Sequence, residues 1–215
     1  LAVLAAHASA FWLKLFVLPL ATLPVAYWCS GFLWVGPMGW IERFFVRSDT
    51  ALRVTAIAAR TPRPLAEALE AAYLGVYPLI PIAFAVHYTC TPAPDPDRYW
   101  NVILVTDFIC FAMLPWVQTR PPRMLEPTAP WRARFRSFNV RLLGETGIGV
   151  NTVPSGHAAE ALAAALLVSG APTPIVAAAW LAALAVSAGA VLGRYHFALD
   201  AMAGWAVAVV VWIVL

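Results

Sequence analysis

Three short segments of the sequence carry ionisable side chains in an order and spacing that suit transfer of a phosphoryl group. They read TRPPR at 119–123, NTVPSGH at 151–157 and GRYHFALD at 193–200. Each lies at the end of an apolar stretch, where a charged group costs much less than at the centre of a bilayer. Ionisable groups in such places are candidates for function, so the three segments predict one site for an anionic ligand.

The third segment supplies the predicted nucleophile. His196 and Asp200 are four residues apart, so in a helix both side chains lie on one face. The carboxylate of Asp200 then accepts the Nδ1–H of His196, which leaves Nε2 available to attack phosphorus. The second segment supplies the predicted acid, because His157 stands at the start of an apolar stretch and can protonate the departing oxygen.

Arginines and backbone amides are the predicted ligands of the phosphate oxygens. Arg120, Arg123 and Arg194 offer planar guanidinium donors within the first and third segments. The backbone N–H groups around Ser155 and Gly156 are expected to point out of a helix N-terminus, which is a natural site for an anion. This scheme requires neither a metal ion nor a cofactor.

These motifs resemble those of the type 2 phosphatidic acid phosphatase superfamily, whose soluble relatives include vanadium-dependent haloperoxidases. The resemblance rests on Arg-Pro at 120–121, Pro-Ser-Gly-His at 154–157 and His-x3-Asp at 196–200, and it covers roughly residues 70–210. It implies a six-helix architecture and a phosphohistidine mechanism. In that mechanism His196 is the nucleophile, Asp200 orients it, and His157 acts first as an acid and then as a base.

Two positions differ from the usual family pattern, and they leave the reaction open. Met113 stands where the family has a lysine seven residues before Arg120, and Ala190 stands where it has an arginine six residues before His196. The form Arg-Tyr-His-x3-Asp is similar to a divergent branch that includes inositol phosphorylceramide synthases. One reading is therefore hydrolysis of a lipid phosphomonoester or pyrophosphate, and the other is transfer of a phosphorylated headgroup to a lipid hydroxyl. Outside enzymes, the alternative is a non-catalytic lipid-binding or transport protein.

The composition places the segments in a membrane protein. Of the 215 residues, 62% are hydrophobic and 12% are charged, against roughly 45–50% and about 25% in soluble domains. The apolar residues form continuous stretches rather than the alternating pattern of a membrane barrel. We expect an all-α, polytopic bundle of six transmembrane helices in one domain over residues 1–215, with spans at about 11–35, 71–90, 100–118, 155–171, 173–193 and 196–215.

The two long connections, about 36–70 and 119–154, are predicted to contain helices that lie in the membrane interface. In the second, four apolar residues recur at helical spacing among arginines: Trp131, Phe135, Phe138 and Leu142. This pattern is typical of a helix with its apolar side toward the bilayer and its guanidinium groups toward lipid headgroups. A lipid phosphate and the bilayer are the expected partners, and the absence of a long basic tract argues against nucleic acid.

The chain is expected in the inner membrane of a bacterial cell. Most of its arginines fall in loops on the side of the three motif segments, so the positive-inside rule favours a cytoplasmic site. The family resemblance instead favours an extracytoplasmic one, and both orientations stay open, as does the oligomeric state.

Two acidic residues fall inside predicted spans. Glu160 lies one turn after His157. It is expected either to interact with His157 and adjust its properties or to form an interhelical hydrogen bond unrelated to catalysis. Asp107 is a candidate for function because a buried carboxylate is costly. A purely structural role for it is equally consistent with the sequence.

Overall fold

The computed structural model describes residues 11–126 and 128–215, and within these ranges the chain is all-α with no β-strand. Residues 1–10 and Pro127, which the predicted domain includes, lie outside the described residues. The helices are α1 (Leu13–Leu33), α2 (Gly39–Ala51), α3 (Val54–Arg60), α4 (Arg63–Leu74), α5 (Val76–Cys90), α6 (Pro96–Ala112), α7 (Pro122–Leu125), α8 (Arg134–Thr146), α9 (Gly156–Leu167), α10 (Thr173–Leu192) and α11 (Ala198–Val214).

Local side-chain chemistry fixes where several of these helices begin. Asp95 caps α6 by accepting the backbone N–H of Arg98 at 2.9 Å, and a proline occupies the first helical position. The hydroxyl of Ser155 caps α9 by accepting the N–H of Ala158 at 3.4 Å. These caps set the first turns of two helices that lie next to each other in the bundle.

Two helices, α1 and α10, are long and apolar enough to cross a membrane, and α4 and α5 make a third if this pair, bent by 64°, counts as one span. The apolar helices α9 and α11 are shorter. With twelve residues, α9 is about 18 Å long at 1.5 Å per residue, whereas the hydrocarbon core is about 30 Å thick. Six transmembrane helices therefore stay a prediction.

Helix α9 forms the centre of the bundle. It packs against α5, α6, α10 and α11, and nine of its twelve residues are buried, so its apolar sequence reflects enclosure by other helices. Seven of these buried residues are alanine or glycine, which lets neighbouring backbones approach closely. The closest approach is to α11 at Gly204, where a Cβ would overlap the carbonyl oxygen of Ser155.

The predicted helix in the second connection is present as α8, but its faces differ from the prediction. Phe135 and Phe138 are about half exposed, whereas Trp131 precedes the helix and is buried. Arg136, which the pattern directed toward headgroups, is also buried, together with Asn139. The reason is that α8 packs against α4, where the buried carboxylate of Glu70 requires hydrogen-bond donors.

Candidate active site

Hydrogen bonds join the three motif segments to one another. The backbone N–H of Asn151 donates to the carbonyl of Thr119 at 2.9 Å, and the N–H of Arg123 donates to the carbonyl of Arg194 at 2.8 Å. The N–H of Ser155 donates to the carbonyl of Asp200 at 3.1 Å. Main-chain contacts between residues up to 71 positions apart in the sequence therefore hold the three segments around one site.

His196 is oriented by a buried carboxylate. Its Nδ1 lies 2.9 Å from Oδ2 of Asp200, which also accepts a hydrogen bond of 2.9 Å from the side-chain amide of Asn151. The contact is not made along a helix face, as the spacing argument expected, because His196 lies two residues before α11 begins. Asp200 instead caps this helix by accepting the N–H of Phe197 at 3.3 Å, so one carboxylate fixes both the helix end and the imidazole.

His157 faces His196 across a short gap, with 6.0 Å between the two ring centroids. Its ring stacks on Tyr73 at 5.1 Å and meets the edge of Tyr77 at 5.6 Å. These tyrosines lie on either side of the bend between α4 and α5. Its Nε2 is buried and has no hydrogen-bond partner among the described residues, so this nitrogen is available to a ligand.

The N-terminus of α9 presents backbone donors beside His157. The N–H groups of Ser155 and Ala158 are taken by Asp200 and by the Ser155 hydroxyl. Those of Gly156 and His157, in the first turn, have no partner within the described part of the chain. The first N–H groups of a helix lack intrahelical acceptors and favour an anion, so this pair of donors suits a phosphate oxygen.

Arg120 is held by Glu42 of α2. Its backbone N–H, Nε and Nη2 donate to this carboxylate at 2.9, 3.0 and 2.9 Å. The hydrogen bond from the Arg120 side chain lowers the pKa of Glu42 below its ordinary value. The guanidinium is partly exposed, and this clamp on one edge leaves Nη1 facing away from Glu42.

Arg194 is buried and its guanidinium is fully engaged. Nε and Nη2 donate to Glu126, and Nη1 donates to Asp49. Burial acts to lower the pKa of Arg194, but the hydrogen bonds with the two carboxylates outweigh it and raise the pKa. The backbone is in the left-handed region at φ 62°, which costs a non-glycine residue about 1 kcal/mol. The two ion pairs hold that conformation in place.

Arg123 is the predicted clamp that makes no salt bridge among the described residues. Its guanidinium lies 5.7 Å from the ring centre of Tyr195, on one end of an aromatic stack. In this stack Tyr195 lies on Tyr73 at 4.2 Å, and Tyr73 lies on His157. An unpaired guanidinium beside the two histidine segments is the arrangement that an anionic ligand requires.

Glu70 of α4 anchors the loop that carries His196. Its two carboxylate oxygens accept hydrogen bonds from four side chains: Trp131 and Arg136 at one oxygen, Asn139 and Tyr195 at the other. Glu70 is completely buried, and burial together with this contact raises the pKa of the Tyr195 hydroxyl. Tyr195 directly precedes His196, so α4 and α8 position the predicted nucleophile.

An apolar cavity of about 500 Å³ opens beside His157, between α1, α5, α6, α9 and the end of α8. Its walls are largely apolar, with Leu20, Leu23, Ile80 and Phe111 among them. A cavity of this size and character takes a hydrocarbon chain. The candidate site therefore has a polar part between the two histidines and an apolar part that extends into the bundle.

Five residues of this site were not among those predicted to act there: Glu42, Asp49, Glu70, Glu126 and Asn151. Asn151 stands in the second motif segment, but the other four are acids spread over 85 residues with no common spacing. The sequence marks these acids only by their rarity, since the chain has 11 Asp and Glu residues in all. An acidic side chain that is buried in so apolar a chain requires a hydrogen-bonding or charged partner. Among the described residues, no group of three or more His, Cys, Asp or Glu side chains is arranged to hold a metal ion.

Comparison with known proteins gives one match. A family model described as the PAP2 superfamily matches residues 98–215, which is more than half of the chain and includes all three motif segments. No curated protein and no solved structure matches the chain. Three acids that pair with residues of the site lie outside the matched residues. Glu42 and Asp49 of α2 bind Arg120 and Arg194, and Glu70 of α4 binds Tyr195.

Proposed function

Because this chain belongs to the PAP2 superfamily, whose members are phosphatases and related phosphotransferases, we propose that it hydrolyses a lipid phosphomonoester or pyrophosphate. The reaction proceeds through a phosphohistidine and needs no metal ion. The observation that carries the proposal is the pair of histidines: His196 is oriented by Asp200 and Asn151, and His157 faces it with 6.0 Å between the ring centroids.

In the first step, Nε2 of His196 attacks phosphorus in line with the departing lipid oxygen. The N–P bond forms as the P–O bond breaks, and protonated His157 gives its proton to the leaving alkoxide. Asp200 keeps the remaining proton of His196 on Nδ1, which is the tautomer that leaves Nε2 nucleophilic. The products of this step are the free lipid alcohol and phosphohistidine.

In the second step, water takes the place of the alcohol. His157, now neutral, removes a proton from this water, and the oxygen attacks phosphorus as the N–P bond breaks. Inorganic phosphate leaves, His196 regains its neutral form and His157 is protonated again. If the donor is a lipid phosphodiester, His196 would instead carry the phosphorylated headgroup, and an acceptor hydroxyl in place of water would give the phosphotransferase reaction with the same residues.

The phosphate oxygens are proposed to bind Arg123, the exposed edge of Arg120 and the backbone N–H groups of Gly156 and His157 at the start of α9. The N–H of Ser155, which was also expected to bind phosphate, instead donates to the carbonyl of Asp200. Arg123 makes no salt bridge among the described residues, which supports its role as the main clamp. The three nitrogens of Arg194 already donate to carboxylates. This supports a role for Arg194 in positioning the loop of His196 rather than in binding phosphate.

We also propose that the six apolar segments cross the bacterial inner membrane, with α4 and α5 forming one bent span. The exposed residues Asp97 and Glu145 then lie on opposite sides. Single cysteines at these two positions, in a background without Cys29 and Cys90, should react with a membrane-impermeant maleimide from opposite sides in intact cells and inverted vesicles. Labelling of both from one side would refute the six-span arrangement.

The activity is tested by phosphate release from a panel of lipid phosphates in detergent with EDTA. The parent protein is expected to release phosphate, and His196→Ala is expected to lose turnover while it keeps its helical circular dichroism spectrum. Arg123→Gln should lower kcat/KM by at least tenfold, whereas Arg141→Gln, at an exposed site on α8, should retain the parent value.

Three results distinguish the alternatives. Full activity in His196→Ala would refute the assigned nucleophile. No phosphate release by the parent, with transfer of a phosphorylated headgroup once a phosphodiester lipid and an acceptor alcohol are added, would identify a phosphotransferase. Lipid phosphate binding without turnover under both conditions, unaffected by His196→Ala, would identify a non-catalytic lipid-binding protein.

A further inference from the structure

Two carboxyl groups line the apolar cavity beside His157, and the proposed reaction uses neither. Asp107 projects from α6 and Glu160 from α9, one turn after His157. The rest of the lining is largely hydrocarbon and aromatic. Acidic side chains are rare in such surroundings and mark a functional site by default.

Asp107 is completely buried, and its one hydrogen-bond contact among the described residues is with the carboxyl group of Glu160. A carboxyl group without donors in an apolar interior is costly, and the great majority of buried polar side-chain atoms are hydrogen-bonded. A proton shared with Glu160 would satisfy one oxygen of each group at most. Both residues line the cavity, so the missing donors are expected on a ligand.

The position of the carboxyl pair relative to His157 limits where that donor lies on the ligand. His157 and Glu160 are three residues apart on α9, so their Cβ atoms are about 5–6 Å apart. Asp107 lies beside the same first turn, because its Oδ1 would be 3.5 Å from a Cβ at Gly156. If the departing oxygen lies at His157, a donor at the pair lies two or three bonds farther along the lipid.

We propose that Asp107 and Glu160 bind a hydrogen-bond donor, an amino or hydroxyl group, on the carbon next to the phosphorylated carbon of the lipid, while the hydrocarbon chain fills the cavity. This assignment rests on the proposed function for the position of the phosphate. It makes the carboxyl pair a specificity determinant for lipids whose polar end carries a donor.

The test compares alkyl monophosphates of equal chain length that are unsubstituted, 2-amino-substituted or 2-hydroxy-substituted. The parent should prefer the substituted compounds by at least about tenfold in kcat/KM, since hydrogen bonds to a charged acceptor have that strength. Asp107→Leu should reduce the preference to less than threefold and leave turnover of the unsubstituted compound near the parent value.

Thr106→Val is the matched control. Thr106 precedes Asp107 on α6, is equally buried and also has an unpartnered side-chain oxygen, but it does not line the cavity. This variant should keep the parent's preference. Equal turnover of all three compounds by the parent, with no change in Asp107→Leu, would refute the assignment and leave the phosphatase proposal intact.

A binding measurement makes the inference independent of catalysis. In a His196→Ala background, a 2-amino alkanol should raise the unfolding temperature more than the unsubstituted alkanol, and the further change Asp107→Leu should remove this difference. If the parent turns over no lipid phosphate, the proposed function fails while this difference still supports the donor site. An equal effect of the two alcohols would overturn the donor site whatever the enzyme assay shows.

Discussion

Replacing Glu70 by glutamine should destabilise the protein more than any comparable change on the same helix. Each carboxylate oxygen accepts two hydrogen bonds, from Trp131 and Arg136 at one and from Asn139 and Tyr195 at the other. Glutamine has one oxygen, so in either amide orientation two donors face an N–H group. Arg136, 3.2 Å away, also loses its buried counterion.

The expected loss is about 3–5 kcal/mol, the usual cost of removing one partner from a buried ion pair. The assay is the free energy of unfolding in mixed micelles, measured by circular dichroism as a denaturing detergent is added. Glu67→Gln is the control, because Glu67 also joins α4 to α8, accepting the N–H groups of Arg134 and Phe135. Glu67 is exposed enough for water to replace it, so its loss should be much smaller.

A double-mutant cycle completes this test. Arg136→Met alone leaves Glu70 charged and without its cation, whereas the pair of changes removes both charges from the interior. The double variant should therefore be more stable than the sum of the two single losses implies. A loss in Glu70→Gln no larger than that in Glu67→Gln, or strict additivity in the cycle, would refute the claim that a buried ion pair anchors this loop.

Three further predictions concern the site and its support. Asp200→Asn should lower kcat at least about tenfold, because a neutral amide oxygen accepts the Nδ1–H of His196 more weakly than the carboxylate does; steady-state kinetics check this, and an unchanged kcat would contradict the orienting role. Asn151→Ala should lower kcat by about 10- to 100-fold through loss of one hydrogen bond to the Asp200 carboxylate, and an unchanged kcat would contradict that role. Because Arg120 lowers the pKa of Glu42, the stabilisation it gives is present above the ordinary carboxyl pKa and is lost as pH falls through the lowered value. The difference in unfolding midpoint between the parent and Glu42→Gln should therefore vanish in acid, and a constant difference would contradict the coupling.

Local spacing predicted the histidine contact, because it lies within five residues of chain. The hydrogen bond between His196 and Asp200 is present, although the histidine lies outside the helix and the carboxylate caps the helix end. The order of the three motif segments likewise predicted that they meet. The family identification is confirmed by the match over residues 98–215, whereas the roles of the site residues stay predictions.

The acidic partners of the arginines could not be predicted from local patterns. Asp49 and Arg194 are 145 residues apart, and Glu70 and Tyr195 are 125 residues apart, so tertiary packing alone pairs them. Helix lengths were also uncertain, because a high apolar content marks burial and does not distinguish a lipid-facing span from a central helix such as α9. The sequence pattern in 131–142 predicted the helix α8, but it could not predict the burial of Arg136, which depends on the distant Glu70.

The contact at Gly204 fixes the distance between two segments of the candidate site without involving the side chains that line the cavity. There α11 and the Pro-Ser-Gly-His segment meet backbone to backbone, and main-chain hydrogen bonds join the same elements. The spacing between His196 and His157 therefore does not depend on which apolar side chains fill the rest of the bundle. Side chains of α1 and α5 that line the cavity can change in size without moving the two histidines. The architecture thus allows the proposed reaction centre to be combined with cavities of different size and shape.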